Sequence, residues 1–131
     1  RRSGPHLLTW IAAEKEKDAL ESYRKDDFSG ARILFGILDK VYKVSINGGD
    51  EDRCLAALQG LVGAARTEAD AAQAPLKQDW LYGRAKEDEA AAAELSRQKA
   101  YPDAAERFIL AAFLYEKARE VALESAQAGN K

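Results

Sequence analysis

Chemistry in this chain would have to start from very few reactive side chains. Among 131 residues His6 is the single histidine and Cys54 the single cysteine. An imidazole beside a thiol is a route to nucleophilic catalysis, because the ring nitrogen takes the thiol proton. His6, however, lies near an end of the sequence expected to fray, and a cysteine inside a helical pattern usually serves packing. One cysteine also excludes an intrachain disulfide, and too few histidines and cysteines remain for a transition-metal cluster. Asn47-Gly48-Gly49 lacks the lysine and the serine or threonine that would follow in a phosphate-binding loop. Carboxylates are plentiful in Asp50-Glu51-Asp52 and Lys86-Glu87-Asp88-Glu89, and paired acids can serve hydrolysis or cation binding. Neither cluster has the alternating spacing of a calcium loop. Both read as solvated helix faces, laced by four-residue pairs such as Glu21/Lys25 and Asp103/Arg107. The reactive inventory therefore predicts no cofactor, no metal and no enzymatic activity.

Charge narrows the partner classes. Twenty Lys and Arg stand against 22 Asp and Glu, interleaved along the chain, and no basic block exists beyond Arg1-Arg2. A nucleic-acid surface has little support. No apolar run approaches the roughly 18 residues of a membrane span, and the first residues lack a signal-peptide pattern. The lone cysteine fits a reducing compartment. The chain contains no methionine at all, and the expectation is a segment of a longer or processed protein.

The elements that would position any site read as helices. Alanine is abundant, there are three prolines, and β-branched residues and turn dipeptides are sparse. Ala104, Phe108, Ala111, Tyr115, Ala118 and Ala122 recur at steps of four and three, which is one continuous helix face. Ala31, Phe35, Leu38 and Tyr42 recur in the same way. Laying residues 7–45 over residues 80–118, an offset of 73, brings ten of 39 positions into identity. They include Ala31/Ala104, Phe35/Phe108 and Tyr42/Tyr115, with Phe28/Tyr101 as a further aromatic match. Asp26-Asp27 offers a helix N-cap before Phe28, and Pro102 suits a first helical turn. Asn47-Gly48-Gly49 breaks the pattern, and Asp50-Glu51-Asp52 follows where a helix N-terminus favours negative charge. A linking helix then carries Leu55, Leu58, Val62, Ala65, Ala69 and Ala72, and Pro75 ends or restarts it. The expectation is one all-α domain over residues 1–131. Its five helices fall near 6–25, 28–46, 50–73, 75–99 and 102–127, with repeat-like hairpins at 7–45 and 80–118 and a linking helix at about 50–73.

With a small residue in the first helix, then an aromatic, alanine, aromatic and small or aliphatic residue in the second, each hairpin resembles a tetratricopeptide repeat. Ala19, Phe28, Ala31, Phe35 and Leu38 fill those places in one copy; Ala92, Tyr101, Ala104, Phe108 and Ala111 fill them in the other. Lys15 and Asp88 stand where the family prefers a large residue, and its turn glycine and closing proline are absent. These departures point to a bundle with extended helices. The resemblance implies that first helices line a groove gripping a partner polypeptide. Lys15 and Asp88, equivalent under the offset and interrupting small-apolar stripes, are the groove positions it suggests. Trp80, Tyr82 and Trp10 are aromatic candidates for the same contact, because large aromatics concentrate at interaction hot spots. The functional expectation is a non-catalytic protein–protein interaction domain. An oligomerisation or spacer element, with two chains pairing through apolar faces, is the alternative.

Overall fold

The computed structural model describes the backbone of residues 4–25, 27–47 and 51–129, and the side chains of residues 11–21, 23–25, 27–43 and 51–124. Within these the chain is all-α: α1 (Gly4–Arg24), α2 (Phe28–Asn47), α3 (Glu51–Ala71), α4 (Ala74–Lys77), α5 (Asp79–Arg97) and α6 (Tyr101–Gly129). The described residues include no strand.

Six helices replace the five expected, because the helix anticipated over 75–99 is cut near its start. Gln73 takes a left-handed conformation at φ 63°, and Pro75 sits in the first turn of α4, where its missing donor costs nothing. Gln78, at φ −138° and ψ 56°, interrupts the helical path. Its N–H still closes on the Ala74 carbonyl at 2.7 Å, and its carbonyl accepts the Tyr82 N–H at 2.9 Å as α5 begins. Leu76 is left exposed on this corner.

The two hairpins are built alike. Under the offset of 73 the first helices end at equivalent residues, Arg24 and Arg97, and the second begin at equivalent residues, Phe28 and Tyr101. The closing hydrogen bonds also correspond: Lys25 N–H to Glu21 and Gln98 N–H to Glu94, then Ala31 N–H to Asp27 and Ala104 N–H to Ala100. The caps differ. Asp27 accepts the Gly30 N–H at 3.0 Å through its side chain, and a Cβ on Gly30 would collide with that carboxylate. Asp27→Ala is therefore expected to cost about 1 kcal/mol, measured as a lowered denaturation midpoint with unchanged slope.

The core is organised around α6. Ala104, Phe108, Ala111, Tyr115, Ala118 and Ala122 are fully buried, and Ala105, Ile109 and Ala112 form a second buried row beside them. Two apolar rows allow one helix to pack against several others, and α6 packs against α5 and α3 along their lengths and against α1 and α2 more briefly. Alanine on these rows removes bulk, so helix axes can approach toward the short end of the usual 8–10 Å.

The linking helix α3 does not stack upon α2 as a continuing array would have it. It lies along α6 in the same direction. Tyr101 donates to Asp52 at 3.1 Å at one end, and Arg119 meets Glu68 at 3.7 Å further along both helices. Leu55, Leu58, Val62, Ala65 and Ala69 form the buried face of α3.

Candidate interaction cleft

Three helices leave a cleft between them. Lys15 of α1, Leu95 of α5, and Asp103, Glu106, Arg107 and Leu110 of α6 line a depression of about 530 Å³. Lys15 and Leu110 also border a smaller apolar depression of about 140 Å³, floored by Leu34, Ile109 and Phe113 with Asp18 at its rim. The shared residues make the two depressions neighbours. Apolar floor, charged rim: such a surface can hold an apolar side chain and orient the polar backbone next to it.

The cations at the cleft are held from within. Lys15 Nζ lies 3.9 Å from Asp18, one turn along α1. Arg107 Nη1 donates to Asp88 Oδ1 at 2.8 Å across the α5–α6 interface. Asp88 is only 3% exposed and does not itself line the cleft; it sits behind Arg107. Its second oxygen, Oδ2, is buried without a hydrogen-bond partner in the protein. Lys15 and Asp88, equivalent in sequence, thus have different surroundings. Where hairpin two sets Asp88 against Arg107, the equivalent positions in hairpin one carry Lys15 and Leu34, both on the cleft wall.

The aromatic candidates are not brought together. Trp80 is 68% exposed, with the Arg84 guanidinium 5.9 Å from its ring centre. Tyr82, two residues on and about 200° around the helix, turns inward. Its ring meets Tyr115 edge-on at 5.3 Å, and its hydroxyl donates to Asp70 at 2.5 Å. Burial pushes the Tyr82 hydroxyl up to about 12, with the Asp70 hydrogen bond adding to the shift. The side chains of Trp10 and His6 lie outside the described residues.

Tyr82 belongs to a polar network between α3, α5 and α6. Tyr115 donates to Glu89 Oε1 at 2.7 Å, and Arg66 of α3 pairs with Glu89 Oε2. Burial pushes the Tyr115 hydroxyl up, and its bond to the Glu89 carboxylate pushes it further. A two-pronged carboxylate flanked by a buried hydroxyl and a guanidinium is a satisfied packing element. Hairpin one repeats the inner half: Tyr42 donates to Glu16 at 3.4 Å.

Opposing shifts occur where α2 meets α6. Burial pushes Glu120 up, but the Arg32 and Ser29 hydrogen bonds and nearby cations outweigh it and leave its carboxyl below the usual range. Glu116 moves the other way, raised first by burial and also by the Glu68 charge, although Lys40, Arg119 and Arg32 draw it back. A carboxyl whose folded pKa is raised supports the fold below its unfolded value and loses that contribution as pH rises through the folded one. Glu116→Gln is therefore expected to raise the melting temperature at pH 7, with the gain vanishing near pH 4. Thermal unfolding at both values reads the difference.

Sequence reasoning missed the α6 half of the cleft. Arg107 and Leu110 flank the recognised alanine–aromatic row, and nothing along one helix tells which flank a neighbouring hairpin leaves open. Among the described residues no three His, Cys, Asp or Glu side chains gather into a possible metal group, and no helix is long and apolar enough to cross a membrane. Set against known proteins, the chain matches no family model, no curated protein and no solved structure.

Proposed function

We propose that this chain is a non-catalytic protein-interaction domain, tetratricopeptide-like in its two hairpins, that holds a partner polypeptide in the cleft between α1, α5 and α6. The supporting observation is the continuity of that cleft: Lys15 and Leu110 join a charged depression to an apolar one. A peptide would place an apolar side chain over Leu34, Ile109 and Phe113 and its polar backbone near Lys15 and Arg107. The occupant is a protein because the surface offers apolar area with charges of both signs, which suits neither a polyanion nor a bilayer.

The test is capture by the immobilised domain from its native lysate, read by quantitative mass spectrometry. Leu110→Asp and Lys15→Ala serve as controls, since both side chains are at least partly exposed and their loss should leave the fold intact. A protein enriched by the wild-type domain and lost from both variants is the expected result. Equal enrichment by all three forms, or none above blank resin, would remove the cleft as the binding surface.

A further inference from the structure

The two hairpins share their helix ends and turn hydrogen bonds under the offset of 73, yet the aromatic row of one is more exposed than that of the other. In hairpin two, Phe108 is 1% exposed and Tyr101 half-buried. Their equivalents in hairpin one, Phe35 and Phe28, are 37% and 53% exposed. Tyr23 extends this surface, meeting Phe28 edge-on at 5.0 Å. Tyr23, Phe28, Ala31 and Phe35, with Ser29 and Arg32 beside them, line a largely apolar depression of about 610 Å³. An exposed cluster of large aromatics on an otherwise charged surface is unusual for a surface that meets only water.

The molecule itself shows what such a row accepts. On hairpin two the cover is α3, an amphipathic helix running parallel to α6. Its N-terminal Asp52 meets Tyr101, and Arg66, fourteen residues on, meets Glu89, the glutamate that Tyr115 holds. Fourteen helical residues rise about 21 Å, the same length as the step from Tyr101 to Tyr115 on α6. Hairpin one carries the matching receptor parts. Glu16 is the equivalent of Glu89 and Tyr42 of Tyr115, and they are hydrogen-bonded to each other. Among the described residues no arginine reaches Glu16 as Arg66 reaches Glu89.

From this correspondence we infer that the Phe28–Phe35 face of hairpin one is a docking surface for a single α-helix of a partner protein. That helix lies parallel to α2, presents small and aliphatic residues at three- and four-residue steps, and carries an arginine that pairs with Glu16. The surface is separate from the cleft proposed above. Lys15 and Glu16 are successive residues and point about 100° apart on α1.

The probe is a fluorescein-labelled peptide with the sequence of residues 51–71, titrated with the whole chain and followed by anisotropy. Saturable binding is expected, weakened about tenfold or more by Phe35→Glu, a loss of at least roughly 1.4 kcal/mol. Glu16→Arg should weaken the same peptide, and an Arg66→Glu change in the peptide should restore binding to the Glu16→Arg chain. Circular dichroism checks that both variants keep wild-type helicity. The inference fails if no saturation is reached at millimolar peptide. It also fails if binding is indifferent to both substitutions, since the peptide would then be displacing the resident α3. Loss without charge-reversed rescue overturns the arginine register. Light scattering of the chain alone gives a further outcome: a dimer dissolved by Phe35→Glu would assign the face to a second copy and overturn the partner helix.

Discussion

Phe108→Ala is expected to lower stability by roughly 3–5 kcal/mol, enough to unfold much of the population of a marginally stable domain. Phe35→Ala, the same change at the equivalent position, is expected to cost about 1 kcal/mol or less. The contrast follows from burial alone. Phe108 sits within the row that α6 presents to the core, so its removal forfeits transfer free energy and leaves a void among alanines too short to fill it. Phe35 is open to solvent on one side, where water already occupies the space its ring would vacate. Guanidinium denaturation followed by circular dichroism checks both, provided the slopes agree with wild type. Equal losses would mean that the first hairpin packs its aromatic row as tightly as the second, and would contradict the exposed face described above.

The second large effect is expected from Arg107→Met, at roughly 2–3 kcal/mol, or on the order of 10 °C in melting temperature. Asp88 keeps its buried position, but the guanidinium that satisfies its Oδ1 is gone, and Oδ2 already has no protein partner. An uncompensated buried carboxylate is far more costly than a buried pair is favourable. The cost falls below the usual range of about 3–5 kcal/mol for a broken buried pair, because half-exposed Arg107 leaves water a path to the site. Asp88→Leu/Arg107→Met should recover to within about 1 kcal/mol of wild type, since two apolar groups replace the pair. The coupling in this double-mutant cycle is the measured quantity, and additive losses would show that the two side chains do not act together.

The all-helical character was legible because it depends on near neighbours in sequence. Steps of three and four from Ala104 to Ala122 mark a face whatever covers it, and Pro75 announces a break wherever it falls. The expected bounds placed both turns to within one or two residues of where the helices end and begin. What packs on what was not legible. Alanine rows on α3 and α6 say that close approach is possible, but the choice of α6 over α2 as the seat for α3 depends on the whole set of faces at once. Asp88 illustrates the same limit at a single residue. Beside its sequence neighbours it reads as a solvated or groove-facing acid; its burial depends on Arg107, nineteen residues away on another helix. Trp80 and Tyr82 read as one aromatic cluster, yet a step of two on a helix separates them onto nearly opposite sides. Glu16 and Tyr42 match Glu89 and Tyr115 under the offset, but the meaning of the pair depends on what Arg66 does in the other copy.

The seating of α3 on α6 has a consequence for the order in which the molecule is made. Asp52 and Tyr101 touch across 49 residues of sequence, so α3 leaves the ribosome well before the surface that shelters it exists. Hairpin one can form early from local contacts alone, whereas the packing of α3, whose buried face includes Leu55, Leu58 and Val62, is completed only after the synthesis of α4, α5 and the first turns of α6. A nascent chain arrested near residue 100 would display that apolar stripe. In stalled ribosome complexes, protease sensitivity within 51–71 should fall only after α6 has emerged.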